Sequence, residues 1–442
     1  MGRGARYLRA LAYLAGSFVS TQYCGIGGIR IDCFPIFSFR SCGAMASRKV
    51  AQSLHTTQDS DRMRVLLVSN YLTDAQESMQ RFAALMEKGL VHAGHEVRTL
   101  RPQPIVGRLR PSGEGVGKWL GYIDKFGVFP SVLKSVVTWA DVVHICDQGN
   151  SFYTKHLKTK PHIVSCHDLL AVRCALGEIP HNPARWSGRQ LQQLIVKGLL
   201  HAQHVVCVSE ATRRQLLRVT HIPEQRVSRV YNSLNYPYSP MRRDEALARI
   251  RRLGIDPGKT FFLHVGGNEW YKNRIGVLRI FSSLRKQMPR QNPNMVMVGK
   301  PWTDEMRRFV TENSLNDMTF ELPGIRNEDL QALYSTAAML LFPSLDEGFG
   351  WPILEAQACG CPVLTSGRPP MDEVGGTAAV YVDPENPEAA AASAILALDK
   401  ETDLREASLQ NAARFSGSAM IGGYLSLYEK VRYEGPSGSW LN

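Results

Sequence analysis

Ser344-Leu345-Asp346-Glu347-Gly348-Phe349-Gly350-Trp351-Pro352-Ile353-Leu354-Glu355 decides the reading of this chain, together with the Ala356-Gln357-Ala358-Cys359-Gly360-Cys361-Pro362-Val363-Leu364 that follows it. The apolar run Ala338-Met339-Leu340-Leu341-Phe342-Pro343 before it has the length of a buried strand, and Pro362-Val363-Leu364-Thr365 begins another. The stretch therefore reads as strand, turn, helix, strand. Pro352 suits the first turn of the helix, where its missing N–H costs nothing, and Gly348 and Gly350 strip side chains from the turn just before it. A ligand can approach such a backbone closely. Uncapped amides in a first helical turn attract phosphate, and two glutamates, Glu347 before the helix and Glu355 within it, flank that place.

Working outward, the same alternation fills the chain from Met63. Arg64-Val65-Leu66-Leu67-Val68 reads as a strand, Gln76 to Ala93 as an amphipathic helix and Glu96-Val97-Arg98-Thr99-Leu100 as a second strand. Further strands are expected at 141–145, 162–166, 204–208 and 226–230, with helices between. Near-continuous apolar strands of this kind need both faces covered, so the sheet is expected to be parallel and sandwiched by helices. Asn232 to Met241, with Pro237 and Pro240 among Asn, Ser and Tyr, reads as a linker. Beyond it come strands at 261–265, 294–298, 318–321, 338–343, 363–365 and 379–382, again interleaved with helices. The expected fold class is α/β, with two doubly wound domains at 63–238 and 239–414 facing a central cleft, and a helix over 415–442 packing back on the first. Ligands of such domains bind outside the carboxyl ends of the strands.

Residues 1–62 lack sustained periodicity and read as an extension outside the fold, with Met45 or Met63 nearer the functional start. They carry eight Lys and Arg against three Asp and Glu, which accounts for part of the formal charge of +12 in 442 residues. Arg3, Arg6 and Arg9 before Ala10-Leu11-Ala12-Tyr13-Leu14-Ala15 faintly resemble a signal peptide, without a convincing cleavage site. No apolar run approaches the roughly 20 residues that cross a bilayer, so the expected setting is cytoplasmic. The nine cysteines show no metal-ligand or disulfide spacing and read as small buried hydrophobes. The Asp-x-Asp string, Asp59-Ser60-Asp61, falls in the extension, so no metal ion and no cofactor are expected.

Two further loops lie where the topology puts ligands. The strand ending His264-Val265-Gly266-Gly267 runs through Asn268-Glu269-Trp270-Tyr271 to Lys272-Asn273-Arg274 at a helix start. Two glycines and a lysine beside helical amides make a diphosphate clamp, though the loop is neither a Walker P-loop nor a Gly-x-Gly-x-x-Gly fingerprint. In the first half, the strand His162 to Cys166 delivers His167-Asp168 to the cleft.

With these landmarks placed, Glu347-Gly348-Phe349-Gly350-Trp351-Pro352-Ile353-Leu354-Glu355 has the Glu-x7-Glu form of the retaining glycosyltransferases of family 4, and Gly360-Cys361-Pro362-Val363 fits their Gly-x-Pro-Val. The resemblance extends over roughly Met63 to Val431, taking in Lys272-Asn273, Leu322-Pro323-Gly324 before Glu328-Asp329-Leu330, His167-Asp168 and Ser209-Glu210. It implies the GT-B architecture of two Rossmann-like domains, the second binding a nucleotide sugar as co-substrate and the first a carbohydrate, lipid-linked or small-molecule acceptor. By the same resemblance Glu347 contacts the donor sugar, Glu355 the ribose, and the amides of Phe349, Gly350 and Trp351 the diphosphate, with Gly348 beside them in the donor site. Lys272 binds phosphate oxygens with Gly266, Gly267, Asn273 and Arg274 around it, Gly324 and Ile325 lie against the base, and His167 approaches donor sugar and acceptor. Ser78, Arg81 and Asp168 are the acceptor-side candidates.

Three positions depart from the family pattern. Glu77-Ser78-Met79-Gln80-Arg81-Phe82 lacks the Gly-Gly of the first loop, Gly267 stands where an Arg is frequent, and Trp270-Tyr271 replaces a Pro-containing dipeptide. Residues 117–137 interleave basic, aromatic and aliphatic groups, so they read either as ordinary helix packing or as a peripheral contact with anionic lipid at the cytoplasmic face. The alternatives in view are a glucan synthase or phosphorylase of the same fold, and a basic nucleic-acid-binding protein on a transferase scaffold. No RNP-like or helix-turn-helix signature supports the last, so nucleic acid is not an expected partner.

Overall fold

A computed structural model describes residues 62–74, 76–109 and 116–435, with backbone alone at 116–118. The extension at 1–61, its signal-like start and the Asp59-Ser60-Asp61 string lie outside the described residues.

Twelve strands form two six-stranded sheets, parallel throughout. The first holds β1 (Arg64–Val68), β2 (Glu96–Leu100), β3 (Val142–Ile145), β4 (His162–Cys166), β5 (His204–Cys207) and β6 (Val227–Arg229), in the order β2-β1-β3-β4-β5-β6. The second holds β7 (Phe261–Gly266), β8 (Asn294–Gly299), β9 (Thr319–Pro323), β10 (Met339–Phe342), β11 (Val363–Ser366) and β12 (Ala379–Val382), in the order β12-β11-β10-β7-β8-β9. Each order reverses once, between β1 and β3 and between β7 and β10. Helices leaving the two strands of such a pair go to opposite faces of the sheet, and a crevice opens at the carboxyl ends.

The apolar runs become strands because helices cover both faces. All residues of β3, β4, β5, β10 and β11 are buried, which only a sheet covered on both sides permits. The six cysteines among the described residues are free and buried. No helix among them is long and apolar enough to cross a membrane.

The last helix, Gly417–Glu434, returns to the first sheet. Its Met420, Ile421, Tyr424, Tyr428 and Val431 share a core with Met63, Val65 and Phe82. Inside that core His144 bonds Tyr428 Oη through Nδ1 and Ser165 Oγ through Nε2, both at 2.8 Å, and Ser165 Oγ lies 2.9 Å from Tyr424 Oη. Burial pushes the His144 pKa down to about 3, so the network is uncharged and every polar atom in it has a partner.

Candidate active site

The reversal of the second sheet sets Lys272 against Glu347. Gly266 and Gly267 lead from β7 into the turn Trp270–Lys272, while Ser344 to Gly350 leave β10 beside it. Two ties hold the loops together: the Leu345 amide donates to Tyr271 O at 2.7 Å, and Asn273 Nδ2 donates to Pro343 O at 3.0 Å. Lys272 Nζ then reaches both carboxylate oxygens of Glu347, at 2.7 and 2.9 Å. Burial raises the Glu347 pKa, and the charge and hydrogen bonds of Lys272 oppose the shift.

The chain next enters the helix Trp351–Ala358 through Gly350, whose φ of 96° lies in the left-handed region. No side chain caps this helix start, and Pro352 occupies its first turn. The Trp351 side chain turns away, donating Nε1–H to Ser233 O at 3.0 Å, and Phe349 is buried against Tyr231 and Phe415. Only the backbone of these residues can therefore serve a ligand. One turn on, Glu355 is 4 % exposed, which excludes a solvated helical glutamate. Tyr334 Oη donates to it at 3.0 Å and Asn235 Nδ2 at 3.1 Å. Burial raises its pKa, and the charges of Arg81 and Lys272 pull the other way.

The first domain meets this loop at Gly348. A Cβ there would overlap the carbonyl oxygen of His167, so glycine lets the two backbones touch. Ser209 Oγ donates to Gly348 O at 2.8 Å and Thr212 Oγ1 at 3.2 Å. Glu373 accepts the amides of Glu210 and Ala211 at 2.8 and 2.7 Å, and Arg173 pairs with Asp346. Trp270 and Tyr271, which depart from the family dipeptide, pack on Leu170, Cys174 and Ile179 in the same seam.

His167 is buried with its ring edge-on to Phe82, the centroids 4.5 Å apart. Its Nε2 lies 2.8 Å from Cys146 O, a group that only accepts, so Nε2 carries the proton and Nδ1 the lone pair. Burial lowers its pKa and keeps it neutral. The neighbouring Asp168 receives the Leu170 amide at 3.0 Å, and its pKa is pushed up to about 6, first by burial and then by Asp147, Asp346 and Glu347 around it.

Beside Asp168, at the reversal of the first sheet, lies a cavity of about 240 Å³. Asn70 after β1 and Asp147, Gln148 and Asn150 after β3 form its polar wall. None of these four was singled out from the sequence, although each follows a strand at its carboxyl end, which is the available signal.

Several expected contacts fall elsewhere. Ser78 is exposed in the first turn of the helix Glu77–His92, and neither it nor Arg81 lines the cavity, because that helix start points its first turn outward. Arg81 instead lies within electrostatic reach of Glu355. The Asn273 amide is committed to the carbonyls of Pro343 and Pro384, since its φ of 51° turns it into the loop. Arg274 is buried, with Nη1 on Asn268 Oδ1 and Lys300 O, so it braces two loops, while its Nε and Nη2 have no partner among the described residues. Gly324, with φ 65°, and Ile325 follow β9, where Ile325 packs on the domain core.

The comparisons with known proteins give the family and the fold. The family model described as Glycosyltransferase Family 4 covers residues 79–236, and that described as Glycosyl transferases group 1 covers 248–415. An O-antigen chain mannosyltransferase B of Escherichia coli is 26% identical over 255 residues, 58% of this chain and 65% of the relative. A D-inositol 3-phosphate glycosyltransferase of Salinispora arenicola is 32% identical over 217 residues, 45% of this chain and 47% of the relative. The chain thus spans less than two thirds of either relative's length. Anabaena HepE, solved with UDP and glucose, superposes with a TM-score of 0.65 at 14% identity, over 84% of this chain and 100% of that one, which is a likeness of fold. Matched by one family model in each half, the chain belongs to the glycosyltransferases of group 1 and family 4, and has their GT-B fold.

Proposed function

We propose that the protein transfers a sugar from a nucleotide-sugar donor to a hydroxyl of a carbohydrate or lipid-linked acceptor, with retention of anomeric configuration and without a metal ion. The observation that carries this reading is the convergence, at the reversal of the second sheet, of Lys272, Glu347, buried Glu355 and a helix start that no side chain caps. A nucleoside diphosphate needs those groups: amides and an ammonium for phosphate oxygens, carboxylates for the diols of ribose and sugar. The UDP-bound HepE structure, of the same fold, supports the donor class.

In the proposed step the bond between the anomeric carbon and the diphosphate oxygen breaks, its electrons staying on the diphosphate. The acceptor oxygen bonds the same carbon from the same face, and its proton passes to the leaving phosphate. Lys272 and the Gly350 and Trp351 amides stabilise the growing charge, an effect worth on the order of 100- to 1000-fold per donor group. Glu347, desolvated and fixed by Lys272, accepts from sugar hydroxyls, and neutral His167 offers Nδ1 to the same sugar. Glu347 and Glu355 act as holders here, not as an acid and base pair.

A thermal-shift screen against nucleotide sugars, in buffer containing EDTA, should raise Tm for at least one of them. Glu347→Gln should still bind that nucleotide while transfer falls about 100-fold or more. Unchanged transfer, or no shift with any nucleotide sugar, sinks the reading. The lipid-linked form of the acceptor has its own support in exposed Leu109 (76%), Trp119 (64%) and Ile123 (49%), of which Trp119 packs edge-on to the cavity-lining Tyr122. Flotation with anionic vesicles tests that contact, and Trp119→Ser should weaken it.

A further inference from the structure

The cavity between β1 and β3 differs in chemistry from the donor site, and that difference bears on what the acceptor is. Its side chains are held in one order by a polar network. Asp147 accepts the Gly149 amide at 2.8 Å and a hydrogen bond from Asn70 Nδ2, and Asn70 Oδ1 in turn accepts from Asn150 Nδ2 at 3.3 Å. Gln148 spends its carbonyl on the His167 amide at 2.8 Å, which leaves its NH2 group for another partner. Gln192, in the helix Trp186–His201, lines the cavity, and its side chain bonds no described residue. Amides present donors and acceptors together, as a hydroxyl requires.

The same cavity is lined by the rings of Tyr122, Phe126 and Phe152, which follow one another with centroids 5.8 and 4.6 Å apart, and Trp119 extends the row at 5.7 Å from Tyr122. The C–H face of a pyranose fits against such rings.

The charges inside point the same way. Lys125 is the one cation among the described lining residues. It is engaged by Asp74 and lies over the Tyr71 and Tyr122 rings, at 5.2 and 5.7 Å. Asp147 and Asp168 also line it, and the Leu170 amide at the start of the helix Leu170–Leu176 is already taken by Asp168. Among the described lining residues an anion meets no free cation and faces Asp147 and Asp168, whereas polyhydroxyl groups meet amides and rings.

We propose that this cavity binds an uncharged saccharide unit, the terminus of the acceptor, and discriminates against phosphorylated sugars. The proposal rests on the glycosyl-transfer reading for its role in a reaction, but its binding chemistry can be tested without the donor. The methyl glycosides of glucose, mannose and galactose and their 6-phosphates are compared on the full chain by saturation-transfer NMR. At least one neutral glycoside should bind, with its 6-phosphate weaker by about tenfold or more, the like charges of Asp147 and Asp168 opposing it. Gln192→Arg places a cation at a half-exposed lining position and should narrow or reverse that preference. Equal or tighter binding of the 6-phosphates to the native chain, an unaltered preference in Gln192→Arg, or no binding of any neutral glycoside overturns the proposal. If glycosides bind as expected while no nucleotide sugar raises Tm, the transfer reading fails and the saccharide cavity stands.

Discussion

Two helix starts meet the seam between the domains, and they are treated in opposite ways. At Glu210–Thr220 every device for satisfying a helix start is present: Ser209 Oγ accepts the Thr212 amide at 3.1 Å, and the Glu373 carboxylate of the other domain takes the Glu210 and Ala211 amides. At Trp351–Ala358 the residue before the helix is glycine, and no side chain caps it. The same backbone dipole that fastens two domains in the first case is left free in the second, where the proposed function places the donor diphosphate. A carboxylate supplied by the protein makes a joint, and its omission leaves amides open to an anion. Ser209-Glu210, a family landmark in the sequence, is therefore part of the joint.

The comparison breaks most sharply at Gly348, which sits between the two starts. In Gly348→Ala the new methyl would occupy the space of the His167 carbonyl oxygen, so the joint could not close while the Trp351 helix start stayed intact. Transfer should fall about 100-fold, the scale reached when a reacting geometry is displaced by an ångström. Nucleoside diphosphate affinity, measured by calorimetry, should hardly change. Affinity lost in proportion to kcat would mean that the loop itself had been disrupted.

A smaller effect is expected at the filled helix start. Glu373→Gln keeps an acceptor for one amide but removes the charge, at a cost of about 1 kcal/mol. Tm should drop by about 2–4 °C, and transfer should fall by much less than in Gly348→Ala. An undiminished Tm would show that Ser209 alone satisfies that start.

The same contrast explains what could be read in advance. Strand ends such as Val265-Gly266 and Phe342-Pro343 were legible from apolar runs, and with them the loops that carry Lys272 and Glu347, 75 residues apart in the chain. Which way a loop side chain turns was not. Asn273 and Arg274 sit in a fitting motif yet face inward, because a left-handed φ and two loop carbonyls claim them. Asn70 and Asp147, 77 residues apart, have no local pattern, since their meeting depends on β1 and β3 being neighbours in the sheet. Glu373 offered still less, an acidic residue on a five-residue helix whose partner amides belong to the other domain.

Asp168 supplies the mildest test, because its carboxylate also meets a helix start but with one amide and in poor company. Glu373 takes two amides; Asp168 takes that of Leu170 and faces Asp147, Asp346 and Glu347. Burial and those neighbours raise its pKa from 3.8 to about 6. Between these values the unfolded chain has released the proton and the folded chain has kept it. The folded state then binds more protons, so this group's contribution to stability falls as pH rises from about 4 to about 6, and is lowest above that window. Asp168→Asn keeps an acceptor for Leu170 and cannot ionise. Its Tm relative to the native chain should therefore climb between pH 4 and pH 7, with the variant the more stable at pH 7, as calorimetry across that range would show. A difference independent of pH would mean that the Leu170 amide offsets burial and the neighbouring carboxylates, making Asp168 a satisfied cap like Glu373.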